Sequence, residues 1–449
     1  MRYSSNATRS RVKLLGWILV AVLAWACLPA QAEEAAGLSP KNWQFYGSAR
    51  MGGAYWKRDK WYRDIDVMDT TGNVIGKKFT VDTVPIKRLF MDLQYNSFFG
   101  AEAKDGTLGF RFEVGWMPSV QDIDVQVLGG VARVAQRRRD AVRLRRLYGE
   151  WHMTDYLTLL VGQDWAISNL GNSNQIFFMD QGLGYSGALS TGRRPQVKLS
   201  YQGGDENLGW KGELAVVKPD TSIIALKQPP EAEEKLPKIE LGAEFSIRKE
   251  DLYGVKAKGV AGMQQYDLVV YADRTGAADA DRQSVKSQVL GGSLDLDIWK
   301  TTTSFTMSWG KNIATYGVWI GDPDGSKLDE HIAIFFPVLG TTDSTQTTQH
   351  LTNAYTTMGS LSLNVHPWKW LAFEAGGGLV SGRHEDLSRQ LTAKSTLNAL
   401  KRKAYYANLQ FAAVDGRVKV VPEYSYSDFG GANRAGRWYA YGLKLQLDM

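Results

Sequence analysis

Along most of the chain, apolar and polar residues alternate one by one. In Arg437–Met449 (RWYAYGLKLQLDM), Tyr439, Tyr441, Leu443, Leu445, Leu447 and Met449 fall on one face, and Ala440, Gly442, Lys444, Gln446 and Asp448 on the other. Successive side chains of a strand point to opposite sides of the pleat, so strict alternation predicts β-structure. Trp43–Trp56 repeats it, with Phe45, Ala49, Met51 and Tyr55 against Gln44, Tyr46, Ser48 and Arg50. In Leu108–Trp116, Leu108, Phe110, Phe112, Val114 and Trp116 oppose Arg111 and Glu113. A single such strand would also suit the edge of a soluble sandwich. One apolar face and one charged face, strand after strand, is the pattern of a wall with lipid outside and water inside.

The alternation predicts strands at about 43–56, 85–96, 108–116, 142–153, 157–166, 193–202, 208–218, 236–248, 253–273, 283–298, 299–312, 355–366, 368–381, 401–412, 417–427 and 437–449. That is sixteen, an even number. Gly259 and Gly262 interrupt 253–273, and if that stretch is a hairpin the rival count is eighteen. Connections alternate short (Lys104–Gly106, Thr154–Tyr156, Gly203–Asn207, Pro367, Asp415–Gly416) and long (57–84, 118–141, 167–192, 219–235, 313–354, 382–400). Short periplasmic turns facing long external loops is the wiring of a transmembrane antiparallel β-barrel. The all-β class follows, with Trp43, Trp56, Trp116, Trp151, Trp165, Trp299, Trp309, Trp368, Trp370 and Trp438 at strand ends as candidate interfacial girdles.

Composition changes the picture at the start of the chain. Arg2, Arg9, Arg11 and Lys13, the apolar run Leu14–Leu28 and the small-x-small Ala30-Gln31-Ala32 predict a cleaved secretory signal peptide over 1–32. A retained anchor is the other reading, but the apolar run is short for a spanning helix. Residues 33–449 then form a single barrel domain. Cys27, the only cysteine, lies in the leader, so the mature chain offers neither a disulfide nor a thiolate metal site. Removing the leader takes Lys+Arg from 53 to 49 against 47 Asp+Glu, which leaves no global basic charge to argue for a nucleic-acid partner.

Candidate chemistry gathers around the third long connection, Ile167–Gly192. It holds an apolar knot, Ile176-Phe177-Phe178-Met179, beside Asp180 in a Gly/Asn/Ser-rich context. An exposed loop tip does not normally carry four adjacent apolar residues. Folded into the lumen, the knot would rest on the wall while Asp180 narrows the channel. A surface loop lying on its neighbours is the alternative. Arginines flank this stretch: Arg133, Arg137–Arg139, Arg143, Arg145, Arg146, Arg193 and Arg194. Inward arginines raise positive potential in a pore and favour anionic solutes. Parity puts Arg146, Tyr148, Glu150 and His152 on one face. The predicted pore lining and constriction are Arg146, Arg193, Arg194, Arg111, Glu113 and Asp180, with Asp92, Glu150, Glu213 and Glu244 as further inward carboxylates. Arg137–Arg139 suit either a solvated loop or lipopolysaccharide phosphates.

Four runs carry a family resemblance: RLRRLYGEW (143–151), LLVGQDW (159–165), FFMD (177–180) and GRRPQVKLSY (192–201). Together they resemble the DcaP-type trimeric porins of Gram-negative outer membranes. The resemblance implies a sixteen-stranded homotrimeric channel with its third loop as constriction and a preference for small organic anions. The function expected is passive diffusion of small hydrophilic solutes across the outer membrane, with lipid and lipopolysaccharide as surroundings. The alternative is a barrel that sheathes a partner protein for electron transfer or adhesion. An enzyme is not expected. The five histidines show no ligand spacing, Gly184-Tyr185-Ser186-Gly187 is not G-x-S-x-G, and DPDGSKLDE (322–330) has the wrong spacing for a calcium loop. No cofactor and no metal are expected.

Overall fold

The computed structural model describes residues 43–58, 61–68, 74–82, 86–93, 97–117, 141–170, 187–219, 232–249, 253–271, 280–313, 316, 333–337, 347–351, 353–384, 399–428 and 437–449; for 61–68, 74–82, 86–93, 333–337 and 347–351 it describes the backbone. Gln44–Met449 form one compact unit. Its wall runs β1 (Trp43–Arg58), β2 (Ile86–Leu93, resumed as Phe98–Asp105), β3 (Leu108–Met117), β4 (Ala141–His152), β5 (Leu157–Trp165), β6 (Arg193–Gly204), β7 (Leu208–Val217) and β8 (Ala232–Lys249). It continues with β9 (Tyr253–Tyr271), β10 (Ala280–Ile298), β11 (Thr301–Lys311), β12 (Ala354–Trp368), β13 (Leu371–His384), β14 (Ala399–Ala413), β15 (Val418–Asp428) and β16 (Arg437–Asp448).

Each strand pairs antiparallel with the next, and β16 pairs back onto β1 from Ser48↔Asp448 to Arg58↔Trp438. Closure removes both sheet edges, which is what allows backbone polar groups to cross a hydrocarbon layer. The barrel has sixteen strands, because the two pieces of β2 form one spanning strand against β1. At the break, Ser97 replaces the missing ladder: its hydroxyl accepts from the Arg50 N–H and donates to the Arg50 carbonyl, both at 2.9 Å. β9 is continuous from Tyr253 to Tyr271 and pairs with β10 along its length, so the hairpin reading of 253–273 falls. Two short hairpins, 61–68 with 74–82 and 333–337 with 347–351, lie in connections that alternation had marked only as loops. β2 also extends past the predicted 96 to Asp105.

The faces divide as predicted. Met51, Leu214, Leu241, Met307, Leu361, Leu443 and Leu445 are exposed on the outside, while Ser48, Glu113, Ser200, Ser308, Glu374 and Gln446 are buried on the inside. Trp368 and Trp370 stack at 5.7 Å at a short-turn end, and Tyr405, Tyr426 and Tyr439 cluster outside at the long-connection end. Aromatic belts at both ends of an apolar band match the two interfaces of a membrane. Short turns need special backbone only locally. Gly106, at φ +53, occupies the two-residue turn between β2 and β3, where a side chain would be strained.

Candidate functional site in the barrel lumen

A β-bulge sets the geometry of the inner wall. Glu113 pairs with Arg146, but Val114 pairs with Leu144, so Arg145 is the extra residue of β4. A bulge inserts one unpaired residue and re-aims its neighbours. Gln163 holds it from β5, its amide donating to the carbonyls of Leu144 at 2.9 Å and Arg145 at 3.2 Å. Two consecutive arginines therefore reach the same inner carboxylate: Arg145 lies 3.7 Å and Arg146 3.5 Å from Glu113.

From there a ladder of alternating charge runs around the wall. Arg146 is 3.3 Å from Asp164 on β5, Lys198 of β6 is 3.1 Å from Asp164 and 4.0 Å from Glu213 on β7, and Lys211 is 2.7 Å from Glu213. Arg194 stands in register with Asp164. The network thus sets five cations (Arg145, Arg146, Arg194, Lys198, Lys211) against three carboxylates (Glu113, Asp164, Glu213). Further round, Lys256 of β9 pairs with Glu244 of β8 at 2.9 Å. On the other flank, Arg111 donates to the Tyr46 hydroxyl at 2.6 Å and lies 3.4 Å from Glu102.

From β7 round to β13, part of the inner wall is apolar where a water-filled barrel should be polar. Ala215, Val217, Val260, Val289, Met358 and Val380 all point inward and are buried. They are covered by the two roots of the third long connection, which bring Ile167, Leu170 and Leu189 onto them. The roots are joined by a bridge between Leu170 and Leu189, with the Leu170 N–H donating to the Leu189 carbonyl at 2.8 Å. Wall glycines make the room: a Cβ on Gly291 would come within 2.9 Å of Leu170, and one on Gly242 within 2.5 Å of Ile167. Burying a leucine side chain is worth about 1.5–3 kcal/mol, so Leu170 and Leu189 each contribute on that scale to seating the roots. The described roots of the third long connection, 167–170 and 187–192, are thus folded into the lumen.

A buried polar latch fixes the same roots. Glu240 of β8 is fully buried, and its carboxylate accepts from the Ser168 hydroxyl at 2.6 Å, the Ser168 N–H at 3.1 Å and the Tyr316 hydroxyl at 2.9 Å. Lys238 lies 2.9 Å from Glu240, donates to the Tyr316 carbonyl at 3.1 Å and sits 3.8 Å from the Tyr316 ring centre. The Ser168 and Thr191 hydroxyls are 3.0 Å apart, which ties the outgoing root to the returning one. Burial pushes the Tyr316 hydroxyl well above its ordinary pKa, so it stays a donor to Glu240.

Of the predicted lining residues, Arg146, Arg111, Glu113 and Arg194 lie on inward positions. Arg146 and Glu113 are neighbours in one ion-pair network on adjacent strands. Arg193 takes the other parity of β6, with Pro195, Val197, Leu199 and Tyr201, and its guanidinium stacks 3.9 Å from the Trp165 ring centre. Asp180 and the knot 176–179, like Arg133 and Arg137–Arg139, lie outside the described residues. Lys198, Lys238 and Glu240 were not singled out from the sequence, and Arg145 was named among the flanking arginines but not as pore lining. For Arg145 simple parity misleads, because the bulge reverses it. Lys238 and Glu240 carry the alternating pattern of any inner face, and nothing local distinguishes a latch from an ordinary lumen charge.

No family model and no curated protein matches the chain. Among solved structures, the outer membrane channel DcaP of Acinetobacter baumannii superposes with a TM-score of 0.57 at 14% identity, over 91% of this chain and 97% of that one. OmpF of Salmonella typhi (TM-score 0.47, 12% identity, 90% and 97% covered) and OprB of Pseudomonas putida (0.46, 11%, 91% and 94%) are more distant likenesses. At these identities the likeness is one of architecture, and the chain has the fold of the outer-membrane porins, with DcaP as a structural neighbour that it matches over nearly its whole length.

Proposed function

We propose that the protein is a passive diffusion channel for small hydrophilic solutes in the outer membrane of a Gram-negative bacterium, reached through a signal peptide cleaved after residue 32. The observation that carries this reading is the closed wall with an apolar exterior and a charged interior, narrowed where the roots of 167–192 cross it. The chemistry of the lumen is electrostatic. Its described side chains pair with one another on neighbouring strands, which suits selection among passing solutes. A preference for small organic anions fits the excess of cations over carboxylates in the β3–β7 network, since fixed charge in a confined pore enriches the counter-ion. The homotrimeric state and the constriction role of Asp180 follow from the family resemblance, with lipid and lipopolysaccharide around the wall.

The test is a planar bilayer separating two concentrations of salt, with the mature protein reconstituted. Ohmic steps are expected, with a reversal potential of the sign for anion preference. A reversal potential of cation sign would remove the anion preference and leave the channel. A folded, inserted barrel that passes no current would overturn the channel reading and favour a sheath around a partner protein.

A further inference from the structure

The outer face of β14–β16 and β1 carries a stack of rows in strict register. The top row, nearest the long connections, is Lys403↔Asp428↔Arg437. The next is Tyr405↔Tyr426↔Tyr439↔Lys57, and the one below runs through Tyr424↔Tyr441↔Tyr55. Rows two residues apart are separated by ~7 Å along the strands. The tyrosines form a continuous platform: Tyr405 stacks on Tyr426 at 4.5 Å, Tyr426 meets Tyr439 at 5.2 Å and Tyr424 meets Tyr441 at 5.2 Å. Beneath them the face turns fully apolar, with Leu409, Phe411, Leu443, Leu445 and Met51 exposed. The two cations of the top row are well exposed, Lys403 at 56% and Arg437 at 60%, and both lean on Asp428, at 3.7 and 4.0 Å. Asp428 also accepts from the Tyr426 hydroxyl at 3.4 Å.

Apolar side chains below, phenols in the middle and charges above reproduce the layers of a lipid leaflet, from acyl chain to headgroup. The sign of the charge selects the headgroup. Lys403, Arg437 and Lys57 stand against Asp428 alone among the described outward residues of this patch. Three cations within two rungs of a ladder suit a headgroup with phosphate groups, which Lys and Arg bind through short charge-assisted hydrogen bonds. An uncharged headgroup would gain nothing from them. We infer that this face is a binding site for the phosphate groups of a phosphorylated glycolipid of the outer leaflet, held by Lys403, Arg437 and Lys57 above the tyrosine platform. The inference rests on the barrel spanning an outer membrane, and it assigns a place on the wall to a lipid contact that the lumen does not involve.

The experiment compares diphosphorylated lipid A with its dephosphorylated form, each titrated onto the detergent-purified mature barrel and read by the midpoint of thermal unfolding. Wild type is expected to bind the phosphorylated lipid at least about tenfold more tightly. The charge-removing pair Lys403→Gln with Arg437→Gln should abolish that preference, and Lys369→Glu, in the turn at the opposite end of the barrel, should keep it. Bilayer conductance of the paired variant, measured alongside, is expected to match wild type. Equal affinity of wild type for the two lipids overturns the inference while leaving the channel intact, and so does a preference that survives in the paired variant. A paired variant that loses its oligomer while its lipid preference persists would assign the row to a subunit contact and also overturn it. A wild-type chain that neither inserts nor conducts would remove the barrel reading on which the inference stands.

Discussion

Glu240 is the residue on which most of the lumen geometry turns. It is buried among Lys238, Ser168 and Tyr316, and two separate connections of the chain end on its carboxylate. A buried charge pair is worth little compared with a well-packed apolar pair, but removing one partner strands the other, at about 3–5 kcal/mol. Glu240→Ala should therefore destabilise the barrel by that amount and release the root at Ser168. The expected electrical result is a larger single-channel conductance with more open-channel noise. Lys238→Met combined with Glu240→Leu separates the two effects, because it removes the charges together. Stability should return to within about 1–2 kcal/mol of wild type while the noise persists. A double variant with quiet, wild-type conductance would mean that the apolar contacts of Leu170 and Leu189 hold the roots unaided.

At the scale of the strand, parity decides what each side chain does, and parity was largely readable beforehand. The wall strands follow from alternation because every one of them must present lipid and water to opposite faces. The hairpins of 61–68 with 74–82 and of 333–337 with 347–351 escaped: AIFFP and TTQHL show no period of two, and the short alternations Asp64–Val67 and Lys78–Val81 sit among enough charge to read as a polar loop. The bulge at Arg145 escaped because nothing in RLRRLYGEW marks which residue is skipped; the skip depends on pairing with β3 and on Gln163 across the other edge. Parity also separates two adjacent arginines that the sequence treats alike. Arg194 faces inward in register with Asp164, whereas Arg193 stacks on Trp165 on the other face. Arg194→Glu should move the reversal potential towards cations by several millivolts under a tenfold gradient. Arg193→Glu should leave it unchanged and reduce stability only, through loss of a cation–π contact worth about 0.5–2 kcal/mol. Equal shifts from both variants would show that β6 does not hold this register in the membrane.

For the molecule as a whole, the decisive contact is the seam between its first and last strands. The spacing of sixteen alternating segments predicts an even-stranded wall, but alternation says nothing about which strands meet, and an open sheet of the same strands would have the same pattern. Closure is a property of β1 against β16, which are separated by nearly the entire chain, and forming it carries the loop-closure entropy of the whole domain. Met51 and Leu445 lie opposite one another across this seam, both exposed on the outer face. Directly opposed residues of an antiparallel pair have Cα atoms about 4.5–5.5 Å apart, inside the range that a disulfide spans. Cys27 is the only cysteine of the sequence, so with Cys27→Ala as background Met51→Cys with Leu445→Cys introduces a single possible bridge. Mild oxidation of the folded barrel should then give a circularised chain that migrates differently from its reduced form on denaturing electrophoresis. The pairing Met51→Cys with Leu447→Cys, displaced by two residues, should bridge much less. Bridging of both pairs alike would indicate a seam that slides, and bridging of neither in an inserted barrel would indicate that β1 and β16 do not meet at all, leaving the wall without the closure that a lipid-facing sheet requires.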